Sequence, residues 1–394
     1  GDDRTDCGWG GTVSVTAAKG FEAAGVTAGL KSSGGLDFAL VVNRGPLANA
    51  AAVFTSNRSK ANPIIWSQQA IADGTASAIV LNSGGANCFT GAQGFQVTHS
   101  TAEAVAFALG VSSGDVLVCS TGLIGDQLPL DKILAGVELA AAALGDHGEE
   151  ASLAIMTTDS KPKRSIKQGN GYTVGGMAKG AGMLAPGLAT MLVVITTDVV
   201  LSSAELDIAL RRATRVSFDR LDSDGCMSTN DQVSLLASGA SGVEPSLDSF
   251  TEVLTAVCLD LAEQLQGDAE GASHDIRIEV VGAATEDDAV EVGRSVARNN
   301  LFKAAVFGND PNWGRVLAAI GTTDAAFDPY DVDVSMNGVR VCHAGAPDRP
   351  RTDVDLSPRR VDLLIDLKSG QHAATILTND LTHDYVHENS AYSS

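Results

Sequence analysis

The stretch at 179–200, KGAGMLAPGLATMLVVITTDVV, joins two pieces with opposite backbone requirements. Its first half contains three glycines and Pro186, which is typical of a loop. After Thr190 comes a nearly unbroken apolar and β-branched run, which predicts a buried strand. Any fold of this chain must therefore start a core strand directly after a glycine-rich loop, with the Ala189–Thr190 bond at the junction.

Size and charge exclude several classes of protein. A chain of 394 residues is too long for one ordinary compact core, so two or more lobes are expected. The net charge of −21 argues against a nucleic-acid or anionic-membrane partner, because lysine and arginine make the phosphate contacts. The sequence has no uninterrupted apolar stretch approaching the ~20 residues of a membrane helix.

The cysteines and the N-terminal residues indicate the cellular compartment in which the protein is found. The six cysteines show neither C-x-x-C pairs nor metal-ligand spacing, which predicts reduced thiols and no metal site. Residues 1–11 lack the basic and then apolar pattern of a secretory signal and are left out of the fold prediction. We therefore expect a cytoplasmic protein.

Hydrophobic periodicity predicts the main elements. Strands are predicted at 36–42, 78–81, 116–119, 233–237 and 276–281, besides the one after Thr190, and helices at 101–109, 131–144, 203–216, 247–266 and 287–299. Asn337-Gly338 and Ser369-Gly370 each predict a hairpin, and 344–360 reads as a surface loop. Antiparallel hairpins combined with long helices favour an α+β layered sandwich.

The Ala189–Thr190 pair raises the question of self-cleavage. A threonine hydroxyl is a weak nucleophile, but a threonine at a chain N-terminus carries its own base, the α-amine. The pKa of a free α-amine is near ~8, so part of it is neutral at physiological pH. The alternative is a threonine that simply opens a strand, and the residues alone favour that alternative.

Two further stretches carry groups that acyl transfer requires. VLVCSTGLIGDQLP, at 116–129, is an apolar strand that ends at Thr121 and Gly122, and a hydroxyl with a backbone N–H can hold a developing oxyanion. Without other support, an ordinary strand-to-loop turn is the simpler interpretation. Glu270 follows a long helix and could bind an amine, although a solvated helix terminus explains it equally well.

Three polar stretches suggest no chemistry by themselves. LNSGGANCFTGAQG, at 81–94, matches no phosphate-binding loop and is predicted to form a backbone-lined wall of a polar pocket. LDSDGCMSTND, at 221–231, fails the register of a calcium loop and is predicted to be a polar loop. NDPNWGR, at 309–315, fits a turn before a helix, with Trp313 as a packing anchor.

Taken together, KGAGMLAPGLATMLVVITTD, STGLIGDQLP, AIMTTD, DAEG, GNDPNWGRVLAAIG and YVHENSAYSS resemble the ornithine acetyltransferase family of arginine biosynthesis. The resemblance runs from about Gly20 to Ser394. It implies an αββα sandwich, made as one precursor that cleaves itself between Ala189 and Thr190. The resulting α chain, 1–189, and β chain, 190–394, would stay associated, and the resemblance further implies a dimer of such αβ units and no cofactor.

The resemblance also implies site residues. Thr190 would be the nucleophile, and Thr121 with Gly122 the oxyanion hole. Substrate would be contacted by Thr157, Lys179, Thr190, Glu270, Asn389 and Ser394. In this arrangement the Lys179 cation would meet the carboxylate of an N-acetyl amino acid, the Glu270 anion would meet ornithine's amines, and the C-terminal tail would be ordered.

The reaction implied by the resemblance is a ping-pong acetyl transfer. The acetyl group would pass from N2-acetyl-L-ornithine to Thr190 and then to L-glutamate. Three alternatives remain: a self-cleaving amidohydrolase or aminopeptidase that passes the acyl group to water, a non-catalytic amino-acid-binding relative, and a relative from secondary metabolism with a different acceptor. Whether acetyl-CoA also serves as a donor is left open by the residues. One departure from the family's commoner pattern is His274, at a position where lysine is frequent.

Overall fold

The computed structural model describes residues 14–180 and 191–391. Its strands, numbered in chain order, are β1 Phe21–Val26, β2 Phe38–Asn43, β3 Asn49–Phe54, β4 Ala78–Asn82, β5 Val116–Ser120, β6 Lys163–Gln168, β7 Thr173–Lys179, β8 Leu192–Thr197, β9 Gln232–Ala237, β10 Asp275–Ala283, β11 Asp333–Met336, β12 Val339–His343, β13 Ala346–Pro347, β14 Arg360–Asp366 and β15 His372–Asn379. Its helices are α1 Asn62–Ala70, α2 Gly91–Leu109, α3 Leu130–Ala142, α4 Gly148–Ala154, α5 Ser203–Arg215, α6 Leu247–Gly267, α7 Glu286–Ala297, α8 Asn300–Phe307, α9 Trp313–Ile320 and α10 His383–Ala391.

Two sheets face each other across a central apolar core. The four-stranded sheet has the order β1-β2-β4-β5, with β4 and β5 parallel. The five-stranded sheet has the order β3-β9-β8-β7-β6, with β8 and β9 parallel. Val41 and Leu81 of the first sheet lie in the same core cluster as Met177 and Val194 of the second. Burial of these side chains holds the two sheets together.

Helices cover the outer face of each sheet. Val105 of α2 and Val137 of α3 join the outward side chains of the four-stranded sheet in one core cluster. Leu210 of α5 and Leu261 of α6 do the same for the five-stranded sheet. The layers therefore run helix, sheet, sheet, helix, which confirms the α+β layered sandwich and its αββα order.

The apolar run after Thr190 forms β8 in the middle of this sandwich. Leu192 and Val194 belong to the core between the sheets, whereas Val193 and Ile195 belong to the core under the outer helices. A strand covered on both faces favours apolar side chains on both, which is why residues 192–195 show no polar alternation. The buried hydroxyls of Thr196 and Thr197 at its end donate to the backbone oxygens of Val15 and Thr173.

The strand that leads into this segment, β7, was missed by the sequence analysis. Its sequence TVGGMAK contains two glycines, which weaken a strand pattern. A Cβ on Gly175 would lie 2.3 Å from the backbone oxygen of Ser14, so glycine is needed for the N-terminal segment to cross the strand. β7 and β8 pair antiparallel with Lys179 opposite Leu192. The predicted cleavage position and chain boundary at 189/190 lie outside the described residues.

A second unit follows the sandwich. Its six-stranded sheet has the order β13-β12-β11-β14-β10-β15 and packs on α7, α8 and α9 through a separate core. Trp313 packs against this core, which confirms its predicted role as an anchor. The hairpin predicted at Asn337-Gly338 is also confirmed, because Met336 pairs with Val339.

The hairpin predicted at Ser369-Gly370 is wrong. β14 and β15 are not neighbours, because β10 lies between them, parallel to β14 and antiparallel to β15. The connecting segment crosses over the end of β10, where the Leu367 N–H donates to Val281 O at 3.0 Å and the Ser369 N–H to Gly282 O at 2.7 Å. Strand-turn-strand spacing cannot reveal an intervening strand from ninety residues earlier.

Candidate active site

A cavity of about 870 Å³ opens beside the ends of β5 and β7, and the loop after α6 and helix α10 complete its wall. The cavity brings together six residues from the sequence analysis: Thr121, Gly122, Thr157, Lys179, Glu270 and Asn389. The predictions for Ala189, Thr190 and Ser394 lie outside the described residues. Since β8 begins at Leu192, opposite Lys179, the chain re-enters the described structure next to this cavity.

Thr121 and Gly122 form the turn directly after β5. The Thr121 N–H donates to Asn82 O at 3.0 Å, which extends the ladder between β4 and β5 by one step. Gly122 has φ of +137°, and a Cβ there would lie 2.8 Å from Gly85 Cα. Only glycine allows this approach of two backbones. The strand end is thereby turned so that the Thr121 side chain and Gly122 line the cavity.

Lys179, the last residue of β7, is 2 % exposed. Its Nζ donates to Thr121 Oγ1 at 3.0 Å and to Thr157 Oγ1 at 2.8 Å. A hydroxyl oxygen that accepts from an ammonium group keeps its own proton for another acceptor. The lysine therefore polarises two hydroxyl donors at the cavity wall while it supplies a buried positive charge.

Asp159 organises the same corner, and the sequence analysis missed it. It accepts from Lys163 Nζ at 2.5 Å, from Gly180 N at 2.8 Å and from Thr157 N at 3.2 Å. Burial alone would raise the pKa of Asp159, but Lys179 and Lys163 outweigh it and the pKa lies below its usual value. Burial lowers the pKa of Lys179, and Asp159 opposes that effect most strongly. The carboxylate thus favours the ammonium form of Lys179 and holds the backbone N–H groups of Thr157 and Gly180.

Glu270, in the turn after α6, lines the same cavity and interacts electrostatically with Lys179. The side chain is half-buried, and burial raises its pKa, with the charge of Asp224 adding to the effect and a hydrogen bond from Asn389 opposing it. The next residue, Gly271, has φ of +65°, and a Cβ there would lie 2.2 Å from the backbone N of Tyr385. This close approach packs α10 on the turn and brings Asn389 to Glu270.

The third wall comes from the two polar loops. Asn230 Nδ2 donates to Ala86 O at 2.6 Å and to Ser120 O at 2.7 Å, which ties the loops after β4 and β5 together. Ser83 and Gly84 line the cavity, which confirms the predicted pocket wall at 81–94. The loop at 221–231 also lines the cavity. In the sequence, the feature that indicates this role is a polar run directly before the buried strand β9.

His274 stands at the position where lysine is frequent in the family. It follows Glu270 by four residues in the chain and does not line the cavity. Its Nδ1 is 2.6 Å from Asp380 Oδ2, and its Nε2 is 2.8 Å from Leu356 O. The Ser273 hydroxyl lies 3.1 Å from the same Nδ1, so a carboxyl, a hydroxyl and a backbone oxygen surround the ring. The histidine ring thus lies between the buried Asp380 carboxyl and the backbone of Leu356.

The cavity chemistry suits a small amino-acid derivative. The cavity is lined by a buried amino group bonded to two hydroxyls and by a half-buried carboxyl, and the two interact electrostatically. Within residues 14–180 and 191–391, no group of three or more His, Cys, Asp or Glu side chains could hold a metal ion. None of the helices in those ranges is long and apolar enough to span a bilayer. What the described groups can do is hold a carboxylate and an amine and stabilise an oxyanion.

Comparison with known proteins agrees with this geometry. Residues 22–394 match the model of the ArgJ family. The arginine biosynthesis bifunctional protein ArgJ of Streptomyces coelicolor is 63 % identical over 383 residues, covering 97 % of this chain and 100 % of that protein. The protein of the same name from Thermobifida fusca is 59 % identical over 383 residues, with the same coverage of 97 % and 100 %.

A solved structure is similar over part of the chain. The crystal structure of ornithine acetyltransferase complexed with ornithine from Mycobacterium tuberculosis is 52 % identical and covers 44 % of this chain and 94 % of that chain, with a TM-score of 0.41. The family model and the curated relatives, by contrast, extend over nearly every residue. The chain belongs to the ArgJ family.

Proposed function

We propose that this protein is a self-cleaving acetyltransferase that moves the acetyl group of N2-acetyl-L-ornithine to L-glutamate in arginine biosynthesis. The observation that carries the proposal is that Lys179 Nζ, buried and bonded to both Thr121 and Thr157, shares one cavity with the Glu270 carboxyl. The names of the curated relatives support the pathway. Following the family resemblance, we also propose a cytoplasmic enzyme built as a dimer of αβ units.

The first step is cleavage of the chain. The Thr190 hydroxyl attacks the carbonyl carbon of Ala189, and the nitrogen of Thr190 leaves with a proton, which gives an ester. Water then hydrolyses the ester to the Ala189 carboxylate and the free hydroxyl. The products are the α chain, 1–189, and the β chain, 190–394, and the new α-amine is the base that the Thr190 hydroxyl requires.

Acetyl transfer then uses the same hydroxyl. The α-amine of Thr190 takes the hydroxyl proton while the oxygen attacks the acetyl carbonyl, and the tetrahedral oxyanion accepts from Thr121 and Gly122. Each such donor contributes roughly 3–4 kcal/mol in comparable sites. The bond to the ornithine nitrogen breaks and the amine leaves with the proton. L-glutamate's amine then attacks the acetyl-threonine ester and regenerates Thr190.

Substrate orientation follows from the two charged walls. Two N–H groups of Lys179 are bonded to hydroxyls, and the third is proposed to hold the substrate's α-carboxylate. Glu270 is proposed to hold the side-chain ammonium of ornithine, with Asn389 orienting the carboxylate. Ser394 is proposed to close the site from the C-terminal end. Acetyl-CoA is proposed as a second donor to the same Thr190 oxygen.

Two experiments test the proposal. A denaturing intact-mass spectrum should show two species, 1–189 and 190–394, whereas the Thr190→Ala variant should show one. A single full-length mass for the wild type after long incubation would contradict self-cleavage. In steady-state assays L-glutamate should accelerate release of ornithine and give parallel initial-rate lines. Ornithine release that glutamate leaves unchanged would favour the hydrolase instead, and replacing acetylornithine by acetyl-CoA tests the second donor.

A further inference from the structure

Lys31 lies in the loop between β1 and β2 and lines the cavity, although the sequence analysis did not single it out. It is partly buried, and its Nζ donates to Met156 O at 2.6 Å and to Leu36 O at 3.1 Å. An ammonium group carries three N–H donors. Two of them are used by backbone oxygens of the described residues, which leaves one for a ligand in the cavity.

The loop that carries Lys31 is held by Asp37. This carboxylate is fully buried and accepts from the backbone N–H groups of Ala28 at 2.7 Å, Leu30 at 2.6 Å and Lys31 at 3.1 Å. The loop also packs closely on the cavity wall, because a Cβ on Gly84 would lie 2.5 Å from Leu30 Cβ. Lys31 is thus positioned before a ligand arrives, which reduces the entropy that binding costs.

The ammonium groups of Lys31 and Lys179 are bonded to two successive residues. Lys31 Nζ donates to Met156 O, and Lys179 Nζ donates to Thr157 Oγ1. The Cα atoms of successive residues are about 3.8 Å apart, so the two cations lie beside the same turn. L-glutamate carries two carboxylates joined by four C–C bonds, which span about 5 Å when extended. One molecule can therefore bring one carboxylate to each lysine.

Nearby carboxylates favour the charged form of both lysines. Burial lowers the pKa of Lys31, and the charges of Asp37 and Asp159 oppose that effect. Burial likewise lowers the pKa of Lys179, and Asp159 opposes it most strongly. An ammonium group forms stronger hydrogen bonds to a carboxylate than a neutral donor does. Lys31 is therefore suited to an anionic ligand.

The two amino acids of the proposed reaction differ in the charge of their side chains. Ornithine ends in an ammonium and glutamate in a carboxylate, whereas both carry the α-carboxylate proposed for Lys179. Within the described residues, the charged side chains that line the cavity are Lys31, Lys179, Asp224 and Glu270. The two acidic side chains favour ornithine's ammonium and disfavour a second carboxylate, which leaves Lys31 as the cation for it. We propose, on the basis of the proposed function, that Lys31 binds the side-chain carboxylate of L-glutamate and so selects the acetyl acceptor.

Competition between two acceptors tests this assignment. The enzyme receives N2-acetyl-L-ornithine as donor, together with equal concentrations of L-glutamate and isotopically labelled L-ornithine. Both acceptors attack the same acetyl-threonine ester. The initial ratio of N-acetyl-L-glutamate to labelled N2-acetyl-L-ornithine, counted by mass spectrometry, therefore equals the ratio of their kcat/KM values. Losses in folding, cleavage or acetylation of Thr190 reduce both products equally and cancel in this ratio.

Lys31→Met removes the ammonium group and keeps an unbranched side chain. Because a hydrogen bond to a charged group is lost, the ratio should fall about 10–150-fold. Lys31→Arg keeps the charge in a different geometry and should give a ratio between those of Lys31→Met and the wild type. The matched control is Lys132→Met. Lys132 Nζ donates to Gly29 O of the same loop at 3.1 Å, but Lys132 is not among the described residues that line the cavity. Its ratio should stay within about twofold of the wild type.

The outcomes separate this proposal from the proposed function. A Lys31→Met protein with the wild-type ratio would overturn the proposal and leave the proposed function intact, even if its overall rate were lower. A ratio lowered equally by Lys31→Met and Lys132→Met would also overturn it, because a shift of the loop would then explain the effect. A wild type that remains uncleaved, or that acetylates ornithine but not glutamate, would instead reject the proposed function.

If Lys31→Met does not yield a cleaved enzyme, the wild type decides. A crystal structure of the cleaved protein with L-glutamate should place a side-chain carboxylate oxygen within about 3.2 Å of Lys31 Nζ. A glutamate whose side-chain carboxylate is bound by another residue, more than about 4 Å from Lys31 Nζ, would refute the assignment.

Discussion

Replacing Gly122 with alanine tests the proposed oxyanion hole, because the new Cβ would meet backbone rather than a movable side chain. It would lie 2.8 Å from Gly85 Cα and 2.9 Å from Gly85 N. Ordinary van der Waals contact begins at about 3.4 Å, so the two turns must separate by 3.4 − 2.8 = 0.6 Å. Neither neighbour can rotate away, and the Thr121–Gly122 turn must shift.

The size of the expected loss follows from that shift. Losing one oxyanion donor lowers kcat by about 10²–10³, and a misplacement approaching 1 Å costs about 10². Gly122→Ala should therefore reduce kcat about 100-fold. An alanine in the unfavourable φ region also costs about 1–3 kcal/mol of unfolding free energy, which must be separated from the effect on catalysis.

The Gly125→Ala variant is the control that separates the loss of stability from the effect on catalysis. Gly125 lies in the same loop with φ of +92°, but a Cβ there meets nothing within 4 Å. Both variants should lose stability in urea unfolding because of the positive φ, Gly122→Ala the more because of its backbone contact, and both should still show two chains by mass. Only Gly122→Ala should lose kcat for ornithine release from N2-acetyl-L-ornithine with L-glutamate. A Gly122→Ala protein within threefold of Gly125→Ala in kcat would refute the role of this turn.

Three further predictions concern the charged groups. Lys179→Met removes a charged donor worth about 1.5–3 kcal/mol, so kcat/KM for acetylornithine should fall about 10–150-fold in steady-state assays, and an unchanged value would contradict its role. Burial raises the pKa of Glu270, so kcat/KM should decline as pH falls through a range above the usual glutamate value, and Glu270→Gln should abolish that limb. His274→Ala removes the side chain that lies 2.6 Å from the buried Asp380 carboxyl, while the backbone N–H groups of residues 273 and 274 still donate to that carboxyl. The free energy of unfolding in urea should therefore fall by about 1–3 kcal/mol, and a loss below about 0.5 kcal/mol would show that the contact is not stabilising.

Much of the fold follows from local patterns. β2 is buried at every position because it lies between two covered layers, and its sequence FALVVN shows this as an unbroken apolar run. Helix α5 begins with Ser202 and Glu205 in a capping box, which places its start where the periodicity predicted it. Such signals depend only on the residues of one element, and they can be identified from sequence.

Other elements depend on what packs against them. The wrong hairpin at Ser369-Gly370 arose because β10 inserts between β14 and β15. Helix α2 starts at Gly91, ten residues before its predicted start, in a segment where Thr90 and Asn87 bond to each other and to Asn62. In each case the deciding partner comes from elsewhere in the chain.

The sequence by itself determined the kinds of groups available: a threonine after a small residue, a hydroxyl and glycine at a strand end, and isolated charges near helix and strand ends. Only the tertiary structure brought Lys179 to Thr121 and Thr157, 58 and 22 residues away, and Asp231 to Met191, 40 residues away. The physical reason is that periodicity and capping are set by neighbours along one segment. Which strand ends meet is decided when the two sheets and their helices close around a shared core.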